Sequence, residues 1–258
     1  MRRPDGVEIA WREHGDGAPV VIANIGYGDP ATMVPLTEEL SSDHRVLSYD
    51  TRGAGASTRT GPYDVATDAD DLVAVMEDAA MSGAVALGNG DGANRAIKAA
   101  VRRPDLIGAV VVPGGLPTRE AARGGEGLVA SESVLQAMLM LLENDYRAGV
   151  NAIISNGNPD YDEDTIHTRV EAIVGHGDQE AMVGRLRSWI ADDPIDDGRS
   201  LGERLWVLHH DANPWFTGSG GLRRLLPDAH HEEVADGPMM RPDLTAGFVR
   251  RVRQRAAR

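Results

Sequence analysis

The stretch Val85-Ala86-Leu87-Gly88-Asn89-Gly90-Asp91-Gly92-Ala93-Asn94-Arg95 constrains the fold more than any other part of the chain. Its apolar start reads as a buried strand, and three glycines within five residues then allow a bend too tight for ordinary side chains. Ala96 to Arg103 continues with helical spacing. A strand thrown this sharply into a helix belongs to a layered structure of alternating strands and helices. Gly90 sits at the centre of the turn and brings no side chain to it.

The rest of the chain supports that reading. Gly6 to Glu13 alternates apolar and polar residues, as an edge strand with one buried face does. Val20 to Ala23 is a continuous apolar run, the pattern of a strand covered on both faces. A helix over Ala31 to Leu40, a strand over Arg45 to Tyr49, a helix over Asp64 to Ala80 and a strand over Leu106 to Val112 follow. This alternation predicts an α/β protein with a mostly parallel sheet and helices on both faces. From about Thr118 to Asp197 strand signals stop. Helices are expected over Ser133 to Ile154, Asp164 to Val174 and Asp178 to Ile190, the last with Asp178 as its N-cap. The interval 118–197 reads as an inserted helical cap, and 1–117 with 198–258 as the core. Leu135, Met138, Met140 and Leu142 are assigned to helix packing in the cap rather than to ligand contacts. Alternation resumes with a strand over Leu205 to His209, a helix over Leu222 to Leu226, a strand over His230 to Val234 and a closing helix over Leu244 to Arg255.

A chain of 258 residues, 41% of them hydrophobic, is long enough for one large domain carrying such an insertion. The net charge is -14 and Lys98 is the only lysine, so the surface is acidic and arginine-rich. That argues against nucleic acid and anionic membranes as partners. The lack of cysteine excludes disulfides and thiolate metal sites. No run approaches the roughly 18 apolar residues of a membrane span, and Arg2-Arg3 has no apolar segment behind it. A soluble cytoplasmic protein that acts on a small molecule is expected, with homodimerisation left open.

Two motifs carry a resemblance. Asp50-Thr51-Arg52-Gly53-Ala54-Gly55-Ala56-Ser57 matches the D-x-R-G-x-G-x-S of α/β-hydrolase-fold proteins, and Gly88-Asn89-Gly90-Asp91-Gly92 stands where that fold has its nucleophile elbow, G-x-S-x-G. Pro104, fourteen residues after Gly90, keeps the family spacing. The chain therefore resembles the α/β-hydrolase-fold superfamily, of the capped small-molecule type, over essentially its whole length. The resemblance implies an oxyanion hole formed by the backbone N–H groups of Gly26, in Asn24-Ile25-Gly26, and of Asp91. It also implies that the positions of the catalytic triad hold Gly90, Asn213 and Pro238, so that all three members are replaced.

Several side chains remain as candidates. Gly90 either tolerates the turn or leaves room for substrate, and Asp91 either serves as a general base or caps the following helix. His210, at the carboxyl end of a strand, is a second candidate for proton transfer. Asn24, Ile25, Tyr27, Trp215 and Met239 are expected to line the pocket. His209, His210, Asp211, His230 and His231 do not make a metal site, because successive strand residues face opposite ways. No cofactor motif appears, since the glycine triplet lacks the further spacing of a dinucleotide fingerprint. These readings predict a non-hydrolytic enzyme of the cyclase, lyase or isomerase type, acting on a carbonyl-containing metabolite in natural-product biosynthesis. The alternatives are a catalytically inactive ligand-binding or scaffold protein, and a weak hydrolase with relocated groups.

Overall fold

The computed structural model describes residues 1–23, 33–116, 118, 132–158, 160–210, 219–234 and 241–256. Among these, seven strands make one sheet: β1 (Trp11–His14), β2 (Ala18–Ala23), β3 (His44–Tyr49), β4 (Ala84–Gly88), β5 (Ile107–Pro113), β6 (Leu205–His209) and β7 (His230–Glu233). Their order is β1-β3-β2-β4-β5-β6-β7. β1 runs antiparallel to β3, and every other pair is parallel. The chain leaves β2 toward β3 on one side and leaves β4 toward β5 on the other. β2 and β4 are neighbours whose last residues, Ala23 and Gly88, are in register. Their carboxyl ends thus form the switch point at which parallel sheets open a ligand crevice.

The helices, in chain order, are α1 (Val34–Ser41), α2 (Val65–Asp78), α3 (Asp91–Arg102), α4 (Glu132–Asn144), α5 (Tyr146–Gly157), α6 (Glu163–His176), α7 (Gln179–Ala191), α8 (Ile195–Leu201), α9 (Ser219–Leu225) and α10 (Pro242–Ala256). Leu72, Val75, Ile97, Leu201 and Leu222, from α2, α3, α8 and α9, share a core with Val21, Ala86, Val110 and Val207 on one face of the sheet. Leu36, Leu40, Phe248 and Val249, from α1 and α10, pack with Ile22, Leu87, Val111 and Leu208 on the other. Helices on both faces explain why the central strands are apolar almost throughout.

Between β5 and β6 the described residues are helical, and α4 to α7 build a third core from Leu135, Met138, Leu142, Val150, Ile173, Met182, Leu186 and Trp189. The single helix expected over Ser133 to Ile154 is instead two helices. Asp145 interrupts it with an extended backbone (φ -148, ψ 97), and its carboxylate accepts the N–H of Ala148 at 3.0 Å to start α5. Asp178 caps α7 as its position predicts, accepting from Ala181 N–H at 2.8 Å. Met140 departs from the expected packing role: it is 60% exposed, while Leu135, Met138 and Leu142 are buried. α3 begins at Asp91, earlier than the apolar spacing signals, because Gly92 and Asn94 in its first turns are weak helix formers.

Two glycines at the ends of β4 separate steric from conformational demand. A Cβ on Gly88 would fall onto the carbonyl of Gly92, 2.6 Å from its carbon, whereas a Cβ on Gly83 (φ +60) meets nothing within 4 Å. Gly88→Ala is therefore expected to lower stability by about 3 kcal/mol through overpacking. Gly83→Ala should cost only the left-handed backbone, about 1–2 kcal/mol. Urea unfolding midpoints at constant m-value measure the difference, and equal costs would contradict this assignment.

Candidate active site

The turn between β4 and α3 lies at the switch point. Gly90 precedes α3 with φ 57 and ψ -127, a conformation that L side chains rarely adopt. The helix closes at once: Gly92 N–H donates to Asn89 O at 3.0 Å and Ala93 N–H to Gly90 O at 3.1 Å. The N-terminus of a three-turn helix thus points into the crevice, where its dipole and first amides favour negative charge. Such a site can stabilise an oxyanion. It offers no atom at residue 90 for a covalent acyl adduct.

Beneath the turn lies a buried ion network. The Asp91 carboxylate accepts from Arg95 Nη2 at 2.9 Å, and the same nitrogen lies 3.3 Å from Asp68 Oδ2. Asp68 is gripped from the other side by Arg185 of α7, through Nε at 2.6 Å and Nη2 at 3.0 Å. Arg185 Nη2 also donates to the carbonyl of Arg52 at 2.5 Å. Arg52 in turn makes a two-pronged pair with Asp71, at 2.7 and 2.8 Å. All six side chains are essentially buried. Burial alone would push the Asp68 carboxyl up, but the Arg185 and Arg95 cations outweigh it and hold it below the usual carboxylate range.

The consequence for stability has a definite sign. A carboxylate whose folded pKa is depressed contributes stability above its unfolded pKa of about 3.9 and loses it as pH falls through the folded value. Breaking the pair also takes from the buried Arg185 cation the carboxylate that grips it, while Arg95 keeps Asp91. Asp68→Asn is therefore expected to cost about 3–5 kcal/mol at pH 7. The variant should then lose less further stability than the natural protein as pH drops from about 5 to 3. Denaturation at several pH values checks this, and a parallel acid dependence in the two proteins would contradict it.

Not every buried polar atom here has a partner. Asn94 is 1% exposed, yet neither its Nδ2 nor its Oδ1 is hydrogen-bonded, and Asn89 Oδ1 and Arg185 Nη1 share that state. One turn beyond Asn94, Lys98 is held by Asp192 at 3.4 Å and Asp197 at 2.9 Å.

The histidines divide by strand register, as the alternation argument requires. His209 Nε2 lies 2.8 Å from His231 Nδ1, and His231 Nε2 lies 2.9 Å from Leu226 O. A carbonyl only accepts, so His231 carries its hydrogen on Nε2, and His209 donates from Nε2 to His231 Nδ1. Burial pushes the His231 pKa down. His230 instead stacks on Trp206, with ring centroids 3.7 Å apart. His210 follows β6 at its carboxyl end and is half-buried. Two strand spacings, about 10 Å, separate the ends of β4 and β6. Asn24, Ile25, Gly26, Tyr27, Asn213, Trp215, Pro238 and Met239 lie outside the described residues. Sequence reasoning missed Asp68, Asp71, Arg95 and Arg185. The available signal was a pair of acids on the helical stripe that also carries Leu72, Val75 and Met76.

These features define an α/β-hydrolase-fold protein. No protein-family model matches the chain. The chain is 31% identical over 242 residues to "Putative carbamate hydrolase RutD" of Caulobacter sp. (strain K31), covering 83% of this chain and 88% of that relative. It belongs to the same α/β-hydrolase family as that protein. It is also 31% identical over 168 residues to 2-(acetamidomethylene)succinate hydrolase of Mesorhizobium japonicum, covering 64% of this chain and 58% of the relative. Among solved structures, an esterase from Exiguobacterium antarcticum superposes with a TM-score of 0.80 at 16% identity, over 100% of this chain and 98% of the other, a likeness of fold. The named relatives are hydrolases, which overturns the expectation of a cyclase, lyase or isomerase. That expectation treated the missing hydroxyl at Gly90 as evidence about the reaction, when it bears only on the nucleophile. Among the described residues no helix is long and apolar enough to cross a membrane.

Proposed function

We propose that this protein hydrolyses a small carbamate, amide or ester in the crevice above Gly90, with water rather than a side-chain hydroxyl attacking the carbonyl carbon. The observation that carries this reading is Gly90 itself: the chain has hydrolase relatives and keeps the strained turn, yet the apex of that turn has no nucleophilic atom. In this reading the triad positions hold Gly90, Asn213 and Pro238, and the helices between β5 and β6 cap the crevice. The substrate oxygen lies against the N–H groups of Gly26 and Asp91, each donor worth about 10²–10³ in rate. His210 removes a proton from the attacking water and returns one to the departing nitrogen or oxygen as its bond to carbon breaks. Such a base contributes about 10²–10⁴. Asp91 acts through its backbone, because its carboxylate is committed to Arg95. Asn24, Ile25, Tyr27, Trp215 and Met239 line the rest of the pocket.

The reading has direct consequences. The protein should hydrolyse p-nitrophenyl carbamates or esters without a pre-steady-state burst, and fluorophosphonate probes should not label it. Stoichiometric labelling would contradict attack by water, and inertness toward every carbamate, amide and ester tried would remove the hydrolase reading. His210→Asn is expected to lower kcat by about 10²–10⁴-fold with little change in KM. Unchanged kcat in that variant would take His210 out of the mechanism.

A further inference from the structure

At the amino edge of the sheet two cations are half-buried with no counter-charge. Arg204, just before β6, donates through Nε to Gly108 O at 3.1 Å and through Nη2 to Ile107 O at 2.6 Å and Ala100 O at 3.2 Å. Arg253 of α10 donates through Nη1 to Gly83 O at 2.7 Å. Among the described residues neither pairs with a carboxylate, and Arg204 Nη1 and Arg253 Nε and Nη2 make no hydrogen bond. Glu203, next to Arg204 in sequence, is exposed and pairs with neither, and the Asp105 carboxylate is gripped by Arg103 at 2.9 and 2.7 Å. Burial therefore draws the pKa of both arginines down, whereas hydrogen bonds to Asp105 and Asp43 raise those of Arg103 and Arg250.

The two arginines meet over a notch floored by glycine. Gly83 immediately precedes β4, and Gly108 is the extra residue of a bulge in β5, since Ala84 pairs with Ile107 and Val85 with Ala109. Gly108 is exposed, and a Cβ on it would meet nothing closer than Gly83 O, at 3.7 Å. A Cβ on Gly83 would meet nothing within 4 Å. The carbonyls that anchor the two guanidinium groups thus belong to adjoining strand starts, about 5 Å apart. One oxyanion reaches both groups through charge-assisted hydrogen bonds of about 2.8 Å. Arg255, over the Trp206 ring at 5.4 Å, adds a third cation at this edge. The clamping of strand-start carbonyls explains the donors already engaged. It leaves unexplained the remaining donors and two cations drawn partly out of water without an anion.

We propose that Arg204 and Arg253 bind a phosphate group, free or as a monoester, in the notch over Gly83 and Gly108. A tetrahedral dianion matches two monocations and turns oxygens toward both at once, whereas a carboxylate brings one charge and two oxygens in a plane. A surface of net charge -14 repels anions at long range, so binding requires a local site of this kind. The notch and the turn at Gly90 lie at opposite ends of β4, about 16 Å apart, so this ligand is separate from the substrate of the crevice. The assignment does not rest on the hydrolase reading.

Calorimetric titration of the full chain in Tris buffer, with sodium chloride holding the ionic strength constant, tests the assignment. Inorganic phosphate should bind with saturation at one per chain, and acetate at least about 10-fold more weakly. No saturable phosphate binding, or equal affinity for acetate, would overturn the proposal. Glycerol phosphate distinguishes the two sources: tighter binding than inorganic phosphate assigns the notch to a monoester, and weaker binding to free phosphate, either of which supports the site. Arg253→Gln should weaken phosphate binding about 10-fold or more, and unchanged affinity would place the anion elsewhere and overturn the proposal. Arg204 holds three carbonyls, so its replacement also perturbs folding. Gly108→Asp avoids that difficulty, because it sets a carboxylate beside both guanidinium groups and leaves each clamp in place. It should abolish phosphate binding, and binding at the affinity of the natural protein would overturn the proposal.

Discussion

The crossing of β4 over the start of α3 is the constraint from which the rest follows. Gly88 approaches Gly92 so closely that a single added carbon cannot be accommodated. With strand and helix that near, the reversal must be made within one residue, and Gly90 makes it with a positive φ. Because Gly88 is in register with Ala23, the helix start is also fixed against the end of β2. The sheet thus places a helix N-terminus, with its amides and dipole, at the one edge where the strand order reverses.

The buried ion network transmits that position to the helices between β5 and β6. Two charges taken out of water contribute little net stability even when well paired, but the loss of one partner is costly. Such a network acts more as a constraint on geometry than as a source of stability. Arg185 links α7 to α2 through Asp68 and to the loop after β3 through the Arg52 carbonyl. Backbone contacts run in parallel: Gly55 N–H donates to His176 O at 2.8 Å and Asp178 N–H to Gly53 O at 3.2 Å. The glycines of the D-x-R-G-x-G-x-S segment acquire a reason here. A Cβ on Gly53 would meet Ala181 and Tyr63, and one on Gly55 would meet the Asp50 carboxylate. That segment serves as the surface on which α7 is seated.

The sequence made the architecture legible where pattern and burial coincide. Leu205–His209 appears as read, because a five-residue apolar run between polar segments admits few other fates. The break at Asp145 was hidden, since the apolar spacing runs on across it and only the capping hydrogen bond reveals two helices. Gly90 was visible at the apex from the glycine spacing together with the resemblance to the G-x-S-x-G elbow and the spacing to Pro104. The network around Asp68 was not, because pairing Asp68 with Arg185 joins residues 117 positions apart, and no local pattern records such a contact. Arg204 and Arg253 were equally silent, as their significance lies in having no carboxylate partner among the described residues, which only a packed structure exposes. The inference from a missing hydroxyl to a non-hydrolytic reaction failed for a different reason. A side chain constrains how a bond is attacked, and relatives named as hydrolases speak to which bond is attacked.

The central claim is that hydrolysis here passes through no covalent intermediate with the protein. Intact-protein mass spectrometry, on samples acid-quenched during steady-state turnover of p-nitrophenyl N-methylcarbamate, tests it most directly. The account predicts only the unmodified 27.6 kDa chain at every time point. A carbamoylated species that forms and decays at the rate of turnover would contradict it.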